Sequence, residues 1–161
     1  MIRVRMADYK ICNSPERIST VGLGSCIGVV LCDEISGLCG MAHIMLPDST
    51  KLKWNNEEGN RRKFADTCLE DMFQEMLKRG ADPTHMYSKI AGGAKMFAFE
   101  SQSEALNIGE QNVNAVRGFL KTHNIPIRAE HVGEHYGRTI VFCPENGSLK
   151  IRVVGKGKLE I

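Results

Sequence analysis

Residues 20–45 restrict the fold of this chain more than any other segment. Thr20-Val21-Gly22-Leu23-Gly24-Ser25-Cys26 is a glycine-punctuated run that passes directly into Ile27-Gly28-Val29-Val30-Leu31-Cys32. The second stretch is rich in β-branched residues and reads as a strand. Asp33 to Gly37 reads as a hairpin turn and residues 38–45 as the returning strand, closed by Pro47-Asp48-Ser49. Further strands are expected at residues 2–6, 87–91, 127–131, 139–142 and 149–154, with Asn146-Gly147 as a hairpin turn between the last two.

Two stretches carry helical spacing instead. Phe64, Cys68, Met72, Phe73 and Met76 form one apolar stripe, stopped by Gly80. A second helix is expected from Asn107, with Glu110 in capping-box spacing, a buried face of Val113, Val116, Phe119 and Leu120, and an end at Asn124. Residues 48–62 are polar and read as an exposed loop around Trp54. Two helices and about seven strands, mostly joined by hairpins, define a single α+β domain over residues 1–161, with helices on one side of mixed or antiparallel sheet.

Twenty-one Lys plus Arg against 19 Asp plus Glu leave a net charge of +2, too balanced for a nucleic-acid or anionic-membrane surface. The N-terminus carries charges where a secretory leader needs an apolar stretch, and no segment approaches the length of a membrane span. A cytoplasmic protein is expected. In such a compartment the six cysteines, at 12, 26, 32, 39, 68 and 143, are not expected to form disulfides. They contain no C-x-x-C pair, so structural zinc is poorly supported. Cys32, Cys68 and Cys143 have apolar neighbours and read as small buried hydrophobes.

Cys26 differs from the others in what precedes it. Gly22 and Gly24 let the backbone turn sharply, expose a side chain and aim the successive N–H groups around Gly24 and Ser25 at one point, as a tetrahedral oxyanion requires. The other reading is a glycine-rich turn with an incidental buried thiol. Of the five histidines, His43 is the best base, because the hairpin returns it beside the Cys26 strand among small and apolar neighbours. Taken alone it also reads as a satisfied core residue. No acidic residue is suitably near to orient it, Asp33 lying too far along in the turn; the Thr20 hydroxyl can accept from its N–H. His85 and His123 fall in expected surface turns, and the His131/His135 spacing is a weak metal signal without a helix.

Several linked motifs resemble the CheD family of chemoreceptor glutamine deamidases. They are Thr20-x-Gly-Leu-Gly-Ser-Cys26, Ala42-His43-Ile-Met-Leu-Pro-Asp-Ser49, Lys89-Ile-Ala-Gly-Gly-Ala94, Asn107-Ile-Gly-x-x-Asn112 and Gly137-Arg138-Thr139. The resemblance implies Cys26 as nucleophile, His43 as general base and acid, and Thr20 as the third member of a triad. It implies a layered fold similar to the cytotoxic-necrotizing-factor deamidases, with helices packed outside. Its substrates would be glutamines on the cytoplasmic helices of methyl-accepting chemotaxis proteins, with CheC, a phosphatase of the phosphorylated response regulator CheY, as a second partner and no cofactor. Receptor methyl-ester hydrolysis would use the same steps. The alternative is a regulatory module that binds CheC with little turnover of its own. Two departures stand out: residues 97–106 are longer than the family pattern, and Glu134 stands where glycine is common.

Overall fold

A computed structural model describes residues 1–51, 61–96 and 107–161. Trp54 and the long 97–106 stretch lie outside these residues, as does most of the polar segment expected at 48–62. The described residues hold ten strands and two α-helices: β1 (Ile2–Val4), β2 (Asp8–Asn13), β3 (Ile18–Leu23), β4 (Ile27–Asp33), β5 (Leu38–Ile44), α1 (Ala65–Lys78), β6 (Met86–Gly92), α2 (Ile108–Thr122), β7 (Ile127–Val132), β8 (Arg138–Cys143), β9 (Ser148–Val153) and β10 (Gly157–Glu160). No helix among the described residues is long and apolar enough to cross a membrane.

The strands form two five-stranded sheets, ordered β1-β3-β8-β9-β10 and β2-β5-β4-β6-β7. Both are mixed: β1–β3 and β6–β7 run parallel, and the other pairs antiparallel. The second sheet is the middle layer. One face packs on the helices through Ile27, Val29, Leu31, Ala42 and Ile44. The other face meets the first sheet through Val30, Met41, Ile140, Phe142 and Ile151. Covered on both sides, β4 and β5 are buried at every position, which is why their sequence is a continuous apolar run.

The α+β layering with outer helices agrees with the expected class; the strand count does not. Three strands lie outside those expected: β2, β3, whose Ile18–Leu23 is a glycine-punctuated run rather than a β-branched one, and β10, which is polar and short. Asp8-Tyr9-Lys10-Ile11-Cys12-Asn13 pairs with β5 as the edge of the middle sheet, and Gly157-Lys158-Leu159-Glu160 pairs with β9 as the edge of the other. Helix α1 buries Ala65, Cys68, Leu69, Met72, Phe73 and Met76, the stripe its spacing implied. Helix α2 buries Val113, Val116 and Leu120 and ends against Asn124 at φ 55°. Its expected capping box is absent, for Asn107 stands at the N-cap without a side-chain capping hydrogen bond.

The expectation that the cysteines stay unpaired is corrected at one place. Cys32 and Cys39 face each other across the β4–β5 ladder, and their sulfurs are bonded. Their partnership follows from hairpin register, which a list of cysteine spacings does not contain. Cys12, Cys26, Cys68 and Cys143 are free thiols, and only Cys26 among them is not buried.

Candidate active site

The site forms where the chain changes sheets. β3 belongs to the outer sheet and β4 to the middle one, so residues 24–26 must cross between layers spaced roughly 10 Å apart. Gly22, at φ 74°, supplies the left-handed turn that starts the crossing. Cys26 emerges at its end, partly exposed at the rim of the sandwich.

His43 sits on β5 directly opposite Gly28, on the face of the middle sheet that meets the outer sheet. Its side chain reaches across the interlayer: Nδ1 lies 2.7 Å from Thr20 Oγ1 on β3. That hydroxyl also donates its single hydrogen to the Val4 carbonyl at 2.8 Å. It therefore accepts from His43, which assigns the proton to Nδ1 and leaves Nε2 as the bare acceptor. Nε2 is buried and has no hydrogen-bond partner among the described residues. Burial pushes the imidazole down to about 4, so it is neutral at pH 7.

Cys26 precedes Gly28 by two residues and packs against the same interlayer cluster. Cys26 lies one residue before β4, whose Gly28 pairs with His43, so both side chains belong to the interlayer side of the middle sheet. Residue 28 is tightly packed, since a Cβ there would sit 2.6 Å from Ile140 Cδ1 and displace that methyl. No hydrogen bond joins Sγ to Nε2. Burial raises the Cys26 thiol above the ordinary value, against a smaller opposing effect of its own backbone N–H. A base within hydrogen-bond reach of a thiol raises its thiolate fraction. The resting arrangement is instead a protonated thiol beside a neutral imidazole, so proton transfer has to accompany attack.

The backbone around the thiol is held from two sides. On one, Gly93 N–H donates to the Cys26 carbonyl at 2.8 Å and Ala94 N–H to the Gly24 carbonyl at 2.9 Å. On the other, Asn112 Nδ2 donates to the Ser25 carbonyl at 2.9 Å. Gly24 N–H is donated to Gly22 O at 3.2 Å, which takes Gly24 out of the set of oxyanion donors. The N–H groups of Ser25 and Cys26 have no backbone partner among the described residues. Gly92, at φ 118°, makes the close approach of β6 possible, as a Cβ there would fall 2.3 Å from the Cys26 carbonyl oxygen. Gly92→Ala is expected to destabilise the fold by about 2 kcal/mol and to slow Cys26 alkylation, read by urea denaturation and timed labelling.

The remaining candidates separate cleanly. Asp33 secures the β4–β5 turn, accepting from the N–H groups of Ile35, Ser36 and Asp82 at 2.9, 3.2 and 2.9 Å. His85 is exposed, and His123 stacks on Phe119 at the end of α2. His131 Nδ1 accepts from Arg138 Nε at 2.8 Å, and among the described residues no group of three metal-ligating side chains is assembled. Glu134 has φ 61°, a left-handed conformation that glycine adopts more readily than glutamate. Two residues of the quoted motifs received no role from sequence and acquire one here. Arg138, 1% exposed, ties the 133–136 turn through the Gly133 and Tyr136 carbonyls. Asn112, fully buried in α2, binds the thiol-bearing segment. A polar residue on the buried face of a helix was the available signal for Asn112.

A layered α+β sandwich, with a free thiol at a sheet-to-sheet crossing and a hydroxyl-anchored imidazole on the adjoining strand, holds the groups that thiol acyl transfer uses. The family model described as CheD chemotactic sensory transduction matches residues 45–153. A relative from Caldanaerobacter subterraneus subsp. tengcongensis, named probable chemoreceptor glutamine deamidase CheD, is 49% identical over 98% of this chain and 95% of its own. One of the same name from Lachnoclostridium phytofermentans is 49% identical over 100% and 98%. The chemoreceptor glutamine deamidase CheD of Halalkalibacterium halodurans is 47% identical over 100% and 98%. A crystal structure of a Neisseria meningitidis protein of family DUF152 superposes with a TM-score of 0.51 at 12% identity, over 84% of this chain and 64% of that one, a likeness of fold alone. The chain belongs to the CheD family.

Proposed function

We propose that this protein hydrolyses glutamine side-chain amides on chemoreceptors to glutamate, with Cys26 as nucleophile, His43 as general base and acid, and Thr20 holding the imidazole. The reading rests on one observation above all: Thr20 claims Nδ1 of His43, leaving a bare and unpartnered Nε2 on the face that carries the Cys26 thiol. The names of the relatives supply the substrate class.

In the first half-reaction the thiol proton moves to His43 Nε2 as the sulfur bonds to the glutamine Cδ. Charge collects on the amide oxygen, within reach of the N–H groups of Ser25 and Cys26. The imidazolium then protonates the departing nitrogen, the C–N bond breaks, and ammonia leaves a γ-glutamyl thioester. In the second, His43 takes a proton from water as the oxygen attacks the thioester. The C–S bond breaks, glutamate is released, and the proton returns to sulfur. A receptor methyl ester would follow the same route with methanol leaving. CheC, brought in by the family resemblance, is a second partner under this proposal, and the setting is cytoplasmic.

The test is incubation of the full chain with the cytoplasmic fragment of a methyl-accepting chemotaxis protein. Peptide mass spectrometry is expected to show replacement of an amide NH2 by OH at particular glutamines, with ammonia released in equal amount. A fragment whose glutamines all remain unchanged rejects the reading.

A further inference from the structure

The β4–β5 ladder ends at the Ile27–Ile44 pair. Beyond it the two strands part, leaving the Ser25 and Met45 carbonyls without ladder partners. One side-chain amide serves both: Asn112 Nδ2 lies 2.9 Å from the Ser25 oxygen and 3.0 Å from the Met45 oxygen. Asn112 is fully buried, and its own Oδ1 has no hydrogen-bond partner among the described residues. An amide placed in a helix core at that cost is committed through its donors. Those donors engage the residue just before Cys26 and the residue two beyond His43.

A trans peptide is planar, and its C=O and N–H point in opposite directions. Fixing the Ser25 carbonyl on Asn112 therefore fixes where the Cys26 N–H points: away from Asn112 and from β5. That N–H is donated to no other backbone group among the described residues. We propose that Asn112 is a positioning residue that aims the Cys26 backbone N–H at the oxygen of the reacting acyl group. It touches neither substrate nor thiol. It works by setting the plane of one peptide, and its second bond, to Met45, holds the His43 strand to the same anchor.

The inference rests on Cys26 being the nucleophile and predicts a split between two reactions of its thiol. Alkylation by iodoacetamide is a displacement at carbon that develops no oxyanion. Acylation by p-nitrophenyl acetate passes through one. In Asn112→Leu, close to the native volume but without donors, acylation at Cys26 is expected to slow by at least about tenfold while alkylation stays within about threefold of the unmodified chain. Asn112→Ser, with one hydroxyl donor and less bulk, is the second variant should the leucine chain not fold, with an intermediate loss expected. With a receptor fragment as substrate, the loss should appear in kcat with KM nearly unchanged. Equal slowing of acylation and alkylation would show only a disordered site and overturn the assignment. So would acylation at the unmodified rate. Because both probes are small and need no receptor, these outcomes are separate from a failure of the unmodified chain to deamidate, which would reject the substrate reading alone.

Discussion

Replacing Cys26 by alanine is expected to lower glutamate formation on a receptor fragment by at least about 10³-fold, with the fold retained. Under the proposed mechanism the variant lacks the sulfur that carries the acyl group. Cys12, Cys68 and Cys143 are buried, and burial pushes Cys12 up to about 11 and Cys68 up to about 12. Cys26 is partly exposed and packs at the rim, so truncating it removes little buried surface. Matched circular dichroism and denaturation curves would show that the loss is chemical. Timed alkylation of the unmodified chain should label Cys26 first, and the alanine variant should lose that fast-labelling site. Substantial turnover by the variant would remove Cys26 from the mechanism.

The second large effect is on stability against pH. His43 is 1% exposed, its Nε2 has no partner, and burial pushes its pKa down to about 4, from 6.5 in an exposed chain. Between these values the unfolded chain binds a proton that the native chain excludes. Stability therefore rises with pH through the window. The contribution is fully present above pH 6.5 and is lost as pH falls toward 4, amounting to about 3 kcal/mol. Urea denaturation at pH 7 and pH 4 should show it as a difference of differences. His43→Gln, which does not titrate, is expected to lose about 3 kcal/mol less than the unmodified chain over that interval. Carboxylates that titrate in the same range are common to both chains and cancel. Identical pH dependence would mean that the native imidazole is solvated. The same low pKa keeps His43 competent as a base throughout the neutral range, so its protonation should not cut activity between pH 6 and 8.

Much of the molecule is written in local pattern. The β4–β5 hairpin is legible because a β-branched run, a turn and a second run suffice to specify it, and residues 33–37 turn as expected. Helix α1 is legible because its six buried residues keep a helical period. Two of the four edge strands are not, and neither is β3. β2 and β10 hold their places through backbone bonds to β5 and β9, and their side chains need not alternate to do so. The Cys32–Cys39 bond is not legible for a related reason, since it depends on which residue faces which once the ladder forms.

The order of residue types along 20–45 determined that a thiol would follow a glycine turn into a strand and that an imidazole would return on the next one. Those are properties of neighbours in the chain, and local chemistry decides them. Only the stacking of two sheets decided that Thr20, 23 residues from His43, would take Nδ1 and leave Nε2 bare. Only the packing of α2 brought Asn112 to the carbonyl before Cys26, across 87 positions. Contacts of that kind arise when separately encoded layers bury their faces against one another, and no spacing in the sequence measures the distance between layers.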